Sequence, residues 1–273
     1  MEYKTLRIHL VQNAAVWKDP QASLLELDDL LATNLTSESN GDLLVLPEMF
    51  AQGFVTDLDI LKFKDQILSD QESIFHWMKK TADYYGFMVV GSLPILEDGF
   101  LYNRMVAIRG GSDFHLQYDK KHLFSLAGEN LHFRPGSQRV SWDYNAWTIL
   151  PSICYDLRFP VWLRYQKDYQ VILCVANWPK SRSLAWRSLL VARAIENQAY
   201  VVGVNRVGTD GTGTVYEGAS MVVGPDGSIL AQMGDQVGLC TVDLDPQALA
   251  VFRRAYPFLA DADTFSFHSS ENP

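Results

Sequence analysis

Three short apolar or alternating runs in the sequence each end on a residue that can take part in acyl transfer. In chain order these residues are Glu48, Lys120 and Cys154. A carboxylate can act as a base, an ammonium group can stabilise developing negative charge, and a thiol can act as a nucleophile. Together the three side chains form a complete set for a covalent acyl-transfer reaction, provided that the fold brings them into one cavity.

Cys154 stands where the apolar run 147–153 gives way to a charged turn that contains Asp156 and Arg158. Backbone N–H groups at the start of a helical turn favour a nearby anion, and the thiolate is the reactive form of cysteine. Taken alone, Cys154 could equally be a small buried hydrophobic residue at the end of a strand. The similar settings of Glu48 and Lys120 favour the nucleophile.

The elements that must position these residues are strands. Glu48 follows the run 42–47, and Lys120 follows the alternating segment 113–119. In layered α/β folds, sites collect at the carboxyl ends of strands, where loops are free of core packing while the sheet holds them rigid. We therefore expect all three side chains to meet at one edge of the fold.

Hydrophobic periodicity predicts a similar order of elements in each half of the chain. Apolar runs predict strands, and near-helical spacing with proline at a first turn predicts helices. The first half contains strands at 6–12, 43–46, 87–91 and 101–108, with helices from 19–20 and over 73–85. The second contains strands at 147–153, 170–175 and 200–205, helices at 160–166 and 184–198, and a hairpin at 221–230. This order predicts two sheets packed together, each covered by helices on its outer face.

The segments around the three residues resemble the signature blocks of the nitrilase superfamily of carbon–nitrogen hydrolases. The blocks cover residues 46–50, 118–124 and 154–160, and secondary blocks lie at 176–179, 192–198, 218–220 and 224–227. The resemblance extends from about residue 6 to about residue 267 and is nearest to the omega-amidase branch. One departure is Val161, where many members have a glutamate that is not one of the family's catalytic groups.

This resemblance implies a four-layer α-β-β-α sandwich and a cofactor-free hydrolase. It implies that Cys154 is the nucleophile, Glu48 the general base and Lys120 the stabiliser of the oxyanion. Lys121 competes with Lys120, but the family motif places the catalytic lysine two residues before the histidine. A further family glutamate matches Glu129, which would hold the lysine and the base in place.

Other residues could complete the site. The backbone N–H of Tyr155 is the natural second donor to an oxyanion. Asn177 and Trp178 follow an apolar strand and are expected in the pocket wall, and Arg182 is a candidate for binding a substrate carboxylate. Asp156 and Arg158 are expected to tie the nucleophile turn together.

His122 suggests an alternative, because cysteine with histidine is the pair used by another class of hydrolase. A strand-end histidine beside Leu123 and Phe124 is more often a hydrogen-bonded packing residue. A Cys–His hydrolase would need His122 and would tolerate loss of Lys120. Arg193 and Glu196, three residues apart on a predicted helix, are expected to form a structural ion pair.

Length and composition are those of an ordinary globular chain. The 273 residues are 48% hydrophobic and 20% charged, and no linker-like segment divides them. We expect one domain over residues 1–255 and a C-terminal tail over 256–273. The tail has four aromatic residues and no helical period, and the resemblance implies that it packs on a partner subunit of a homodimer or larger homo-oligomer.

Charge and cysteine content restrict the other partners. A net charge of −9 and a pI near 5.1 disfavour nucleic acid and anionic membranes. No secretory pattern and no apolar run of about 18–20 residues is present. The cysteines, an odd total of three, predict reduced thiols in a cytoplasmic protein. Their spacing and the scattered histidines predict no metal site.

The omega-amidase resemblance implies a small-molecule amide substrate, such as 2-oxoglutaramate, which would yield 2-oxoglutarate and ammonia. A nitrilase or an N-carbamoyl amide hydrolase of the same superfamily would use the same residues with a different pocket. A non-enzymatic binding module is a further alternative, which the presence of all three reactive side chains disfavours.

Overall fold

The computed structural model describes residues 4–36, 42–112 and 115–267. Its strands are β1 (Leu6–Gln12), β2 (Leu43–Val45), β3 (Met88–Glu97), β4 (Phe100–Arg109), β5 (His115–Asp119), β6 (Trp142–Tyr144), β7 (Trp147–Ile153), β8 (Val171–Ala176), β9 (Tyr200–Asn205), β10 (Val207–Thr209), β11 (Val215–Glu217), β12 (Met221–Val223), β13 (Ile229–Gln232) and β14 (Gly238–Leu244). The α-helices are α1 (Pro20–Asn34), α2 (Ile60–Tyr85), α3 (Glu129–His132), α4 (Pro160–Leu163), α5 (Ser183–Asn197) and α6 (Pro246–Ala255). Short 3-10 helices occur at Ser125–Ala127, Cys154–Arg158, Lys180–Arg182 and Phe258–Asp261.

The strands form two six-stranded sheets with related plans. The first has the order β14-β1-β2-β3-β4-β5, and the second has the order β13-β12-β9-β8-β7-β6. In each sheet a parallel trio, β1-β2-β3 or β7-β8-β9, is extended by antiparallel neighbours. Strands β10 and β11 form a separate hairpin. Parallel strands that are buried on both faces need helical cover, which the helices provide.

Side-chain alternation along the strands builds the layers. On β2, Leu43 and Val45 join Ile8 in a core that also contains residues of the second sheet. Leu44 and Leu46 point the other way, into the core formed with α1 and α2, because successive side chains leave a strand on opposite faces. Helix α5 covers the second sheet at β9 and β12. The predicted four-layer sandwich is confirmed.

Two helix predictions need correction. The helix expected over 73–85 begins at Ile60, where Asp59 caps it by accepting a hydrogen bond from the N–H of Leu61. Its first turns carry an exposed Leu61, so the apolar period that reveals a packed helix is weak there. The helix expected over 160–166 ends at Leu163, because Arg164 is extended.

The tail is described as far as residue 267. Phe267 packs against Trp162, with ring centroids 5.1 Å apart, whereas Tyr256 and Phe258 are exposed. Packing of the tail on a partner subunit stays a prediction. No helix in the described ranges has the length and apolar character needed to cross a membrane.

Candidate active site

The two sheets bring their strand ends to one edge of the molecule, and the predicted residues lie there. Lys120 and Cys154 directly follow β5 and β7, and Glu48 lies three residues after β2. The Nζ of Lys120 is 2.8 Å from the Oε1 of Glu48. The Sγ of Cys154 is 3.9 Å from the carbonyl oxygen of Asn177, whose N–H donates to the Oε2 of Glu48 at 2.8 Å. The thiol, the carboxylate and the ammonium group are therefore neighbours, as the sequence predicts.

Lys120 lies between two carboxylates. Its Nζ is 2.8 Å from Glu48 and 2.9 Å from Glu129, and all three side chains have 0% exposure. Burial alone would lower the pKa of Lys120, but attraction to Glu129 and Glu48 outweighs burial and raises it. Lys120 is therefore a cation at neutral pH. Lys121 is partly exposed, with its Nζ 5.5 Å from the centre of the Trp162 ring.

Asn103 is a member of this cluster that the sequence analysis missed. Its Nδ2 donates to Glu48 at 2.8 Å and to Glu129 at 3.0 Å. Its Oδ1 accepts from Ser92 at 3.0 Å, and the Ser92 oxygen accepts from the N–H of Met49 at 3.0 Å. The available signal was a polar residue among apolar neighbours in each of two strands, Ser92 in β3 and Asn103 in β4, since polar groups that become buried need partners.

Asn177 fixes the other side of the base. In addition to its N–H bond with the Oε2 of Glu48, its Nδ2 donates to the backbone carbonyl of Glu48 at 2.6 Å. Both carboxylate oxygens of Glu48 thus have donors, from Lys120 and Asn103 on one side and Asn177 on the other. These contacts hold the carboxylate in one orientation beside Cys154.

Cys154 begins the 3-10 helix with a φ of 46°, a conformation that non-glycine residues seldom adopt. Burial raises the pKa of its thiol, Glu48 raises it further, and Lys120 only partly offsets them, so that the pKa lies well above the ordinary value. The resting thiol is therefore neutral. Attack by Cys154 requires a base to remove its proton during the reaction.

Asp156 holds the nucleophile turn in place. Its Oδ2 accepts from the N–H of Ile153 at 3.0 Å and from the hydroxyl of Tyr118 at 2.8 Å. Its Oδ1 accepts from the N–H of His122 at 2.9 Å and lies 2.8 Å from the Nδ1 of the same residue. The His122 ring also stacks on Phe159 at 3.7 Å. These contacts give His122 the packing role that the sequence favoured, and none of its hydrogen bonds within the described ranges reaches Cys154.

Replacement of Asp156 by asparagine should loosen this turn. An amide group cannot accept from all of these donors, so at least one buried N–H loses its partner. We expect the free energy of unfolding to fall by about 2–3 kcal/mol, measured by urea denaturation. The matched control is Asp143→Asn, at an exposed residue that accepts from Thr148. Equal stability of the two variants would contradict the anchoring role of Asp156.

A cavity of about 420 Å³ opens in front of the thiol. The predicted catalytic and substrate-binding residues outside the buried cluster all line it, namely Cys154, Tyr155, Asn177, Trp178 and Arg182. Tyr155 is the second residue of the 3-10 helix, and N–H groups in a first turn lack an intrahelical acceptor. Tyr155 therefore lies where its N–H would face an oxyanion formed beside Cys154, and its role as a donor stays a prediction.

The prediction that Arg158 ties the nucleophile turn together is wrong. Arg158 lines the cavity, and its guanidinium lies 4.9 Å from the centre of the Trp178 ring. Arg182 lines the same cavity, 5.1 Å from the ring of Phe124. Neither arginine forms a salt bridge within the described part of the chain. The cavity therefore has two cationic groups available to an anionic ligand.

Two further sequence predictions concern structural residues and metals. Arg193 and Glu196 form the expected ion pair at 2.9 Å, which confirms their structural role. Across residues 4–36, 42–112 and 115–267, no group of three or more histidine, cysteine or acidic side chains is arranged to hold a metal ion.

Comparison with known proteins gives consistent matches along the chain. The carbon–nitrogen hydrolase family model matches residues 7–254. Omega-amidase YafV of Escherichia coli strain K12 is 41% identical over 261 residues, which cover 95% of this chain and 98% of the relative. The 2-oxoglutaramate amidase of Bacillus subtilis strain 168 is 33% identical over 225 residues, 81% of this chain and 85% of that protein.

Solved structures show the same fold. A CN-hydrolase superfamily protein of Xanthomonas campestris, with an arsenic adduct in its active site, has a TM-score of 0.89 and 33% identity, covering 97% of this chain and 100% of that one. A glutamate-to-glutamine mutant of the amidase from Nesterenkonia sp. AN1 has a TM-score of 0.77 and 28% identity, covering 94% of this chain and 100% of that one, and acrylamide has added to its active-site cysteine. From its sequence matches and its fold, the chain belongs to the carbon–nitrogen hydrolase family of the nitrilase superfamily, with omega-amidases among its relatives.

Proposed function

We propose that this protein is an omega-amidase that hydrolyses the terminal carboxamide of small dicarboxylate monoamides through a thioester on Cys154. The observation that carries the proposal is the buried cluster of Glu48, Lys120 and Glu129 beside the thiol. The relatives named omega-amidase and 2-oxoglutaramate amidase support this substrate class.

In the acylation step, the Sγ of Cys154 attacks the amide carbon while Glu48 takes the thiol proton. The carbonyl oxygen becomes an oxyanion, which accepts hydrogen bonds from Lys120 and from the N–H of Tyr155. As the carbon–nitrogen bond breaks, Glu48 gives its proton to the departing nitrogen, and ammonia leaves. A thioester remains on Cys154.

In the deacylation step, Glu48 removes a proton from a water molecule, and the resulting hydroxide attacks the thioester carbon. Lys120 and Tyr155 again stabilise the oxyanion. The carbon–sulfur bond breaks, the thiolate takes the proton back from Glu48, and the acid leaves. Glu129 and Asn103 act on this cycle by holding Lys120 and Glu48 in place.

The two arginines of the cavity would bind the substrate carboxylate that lies remote from the amide. Arg158 and Arg182 lack acidic partners in the described chain and line the cavity that contains Cys154. An arginine binds a carboxylate through two parallel hydrogen bonds, which fixes direction as well as position. This arrangement would favour a monoamide that carries a second, ionised carboxyl group.

Substitution of either arginine tests this assignment. Arg158→Met and Arg182→Met should each raise KM for succinamate about 10- to 100-fold, because a hydrogen bond to a charged group contributes about 1.5–3 kcal/mol. KM for neutral butanamide should stay within about twofold of the wild-type value. Arg254→Met, at an exposed position on α6, is the control. A parallel loss on both amides would refute carboxylate recognition by these arginines.

The reaction itself is tested by a substrate panel. We expect ammonia release from 2-oxoglutaramate and succinamate, and little or none from the corresponding nitrile or N-carbamoyl amine. Rapid quenching should trap an acyl group on Cys154, seen by intact mass. Preference for the nitrile or the N-carbamoyl compound would favour the other superfamily activities, and absence of any adduct and any ammonia would refute the proposed function.

We further propose a cytoplasmic homodimer, with residues 256–267 at the interface. The cytoplasmic location is supported by the cysteines Cys154, Cys174 and Cys240, which are all unpaired, as expected for reduced thiols.

The dimer is supported by the exposed aromatic side chains of Tyr256 and Phe258, which are suited to burial against a second subunit. Sedimentation equilibrium measures the oligomeric state, and a monomer at micromolar concentration would refute the dimer.

A further inference from the structure

The hairpin of β10 and β11 contributes a polar pair to the cavity that the proposed reaction does not use. Tyr216 and Asp210 both line the cavity that contains Cys154. The Tyr216 side chain is almost fully buried, and its hydroxyl donates to the Oδ2 of Asp210 at 2.8 Å. A buried hydroxyl that donates to a carboxylate has its proton fixed in that direction. Any further hydrogen bond of the Tyr216 hydroxyl must therefore be one that its oxygen accepts.

Asp210 is an acceptor with no proton of its own. Its Oδ1 accepts from the N–H and the hydroxyl of Thr212, at 2.9 and 2.7 Å, and from the N–H of Thr214 at 3.0 Å. Burial alone would raise the pKa of Asp210, but the hydrogen bonds from Thr212, Tyr216 and Thr214 outweigh burial and lower it. The proton between the two side chains therefore belongs to Tyr216, whose oxygen retains only lone pairs for a further partner.

The ring of Tyr216 is fixed from its face as well. The guanidinium carbon of Arg206 lies 4.8 Å from the ring centre. Arg206 is 1% exposed, and it donates to the carbonyls of Ala15 at 3.1 Å and Val207 at 3.2 Å. A buried cation over the ring and a carboxylate on the hydroxyl leave Tyr216 little freedom to rotate, so the acceptor is preorganised.

Hydrogen bonds link the chain just after Tyr216 to the reacting end of the cavity. The side-chain amide of Asn205 donates to the carbonyl of Trp178 at 3.0 Å and to that of Gly218 at 2.9 Å. Trp178 adjoins Asn177, which contacts both Glu48 and Cys154. The carboxylate of Glu48 is also among the charges that act on the Tyr216 hydroxyl. Tyr216 therefore lines the same cavity as Cys154, and the chain beside it is linked to the segment that contacts the thiol and the base.

We propose that Tyr216 is a specificity-determining residue that accepts a hydrogen bond from the carboxamide N–H of the substrate, with Asp210 setting the direction of its hydroxyl. An ester oxygen or a nitrile nitrogen has no N–H to donate to this acceptor, and a carboxylate would be repelled by the lone pairs and by Asp210. This inference rests on the proposed function and explains how an amide is selected at the reacting end.

Tyr216→Phe removes the acceptor while keeping the ring over Arg206. We compare kcat/KM for succinamate and for monomethyl succinate, which form the same thioester on Cys154, so that differences report the acylation step. We expect kcat/KM for the amide to fall about 10- to 100-fold, as for a hydrogen bond lost in a site built around it. The value for the ester should change less than threefold.

Asp210→Asn keeps the Tyr216 side chain but should convert its hydroxyl from an acceptor into a donor towards the cavity. The asparagine oxygen must face the donors at Thr212 and Thr214, so its NH₂ group faces Tyr216 and donates to the hydroxyl oxygen. The Tyr216 proton then turns towards the cavity, and the residue becomes a donor. We expect the amide-to-ester ratio of kcat/KM to fall at least 10-fold, which also tests the proposal if Tyr216→Phe fails to fold.

A merely structural role for the pair predicts a different pattern. Equal losses on amide and ester in both variants, or an unchanged amide-to-ester ratio, would overturn this inference while leaving the proposed function intact. Failure of the wild-type protein to release ammonia from any monoamide would instead refute the proposed function. The two failures are therefore distinguishable in one set of assays.

Discussion

Replacement of Cys154 by alanine is expected to reduce amide hydrolysis by a factor on the order of 10⁶, the scale seen when a hydrolase loses its nucleophile. The carboxylate and the ammonium group would remain in place, but neither can form the acyl intermediate. Alanine accommodates a φ of 46° no less readily than cysteine does, so the fold should persist. Ammonia release and thermal unfolding measure the two effects separately.

Cys174 provides a matched control for this experiment. It lies on β8, next to Ser152 of β7, and burial raises the pKa of its thiol to about 12. Cys174→Ala should retain most activity and lose only about 1 kcal/mol of stability from the small cavity. Amidase activity in Cys154→Ala above about 1% of the wild-type value would contradict a nucleophilic Cys154. So would an acyl adduct that is lost in Cys174→Ala but kept in Cys154→Ala.

Much of the fold could be predicted because strand patterns are local. The apolar run that precedes Cys154 and the run that precedes Glu48 identify β7 and β2, and a strand end carries its own signal in the residue types that follow. Lys120 required the family motif, because two adjacent lysines are equivalent in composition. The structure distinguishes them by burial, since Lys120 lies inside the buried cluster and Lys121 is partly exposed.

Asn103 and Tyr216 could not be predicted, unlike Glu129, because their roles depend on contacts between distant segments and no family motif pointed to them. Asn103 contacts a base 55 residues earlier and an acid 26 residues later in the chain. Nothing adjacent to it in sequence indicates either partner. The Tyr216 hydroxyl can donate to Asp210 only because the hairpin of β10 and β11 brings the two residues together. Such residues are found from coordinates, or from a polar type that interrupts an apolar strand.

Arg158 shows the opposite failure, in which proximity in sequence misleads. It is four residues after the nucleophile, so a role in the same turn was a natural expectation. The 3-10 helix carries Asp156 into the buried side of the turn and carries Arg158 to the cavity. A difference of two residues in a tight helix changes which side of the helix a residue occupies.

Lys120→Met is expected to lower both activity and stability. Loss of one oxyanion donor costs about 10²–10³ in kcat, and Glu48 also loses the partner that orients it. The variant leaves two fully buried carboxylates, Glu48 and Glu129, facing the space that the ammonium group occupied. Removing one member of a buried ionic cluster typically costs about 3–5 kcal/mol, which urea denaturation measures.

The double variant Lys120→Met/Glu129→Gln separates the two roles of Lys120. Glutamine removes one of the two buried charges and can still accept from the N–H of Phe124, which donates to Glu129 at 2.6 Å. We expect about half or more of the lost stability to return, while hydrolysis stays as low as in the single variant. Recovery of hydrolysis together with stability would show that Lys120 serves only to neutralise Glu129. If the double variant regains stability but stays inactive, catalysis needs the ammonium group of Lys120 at the oxyanion, as in the proposed reaction.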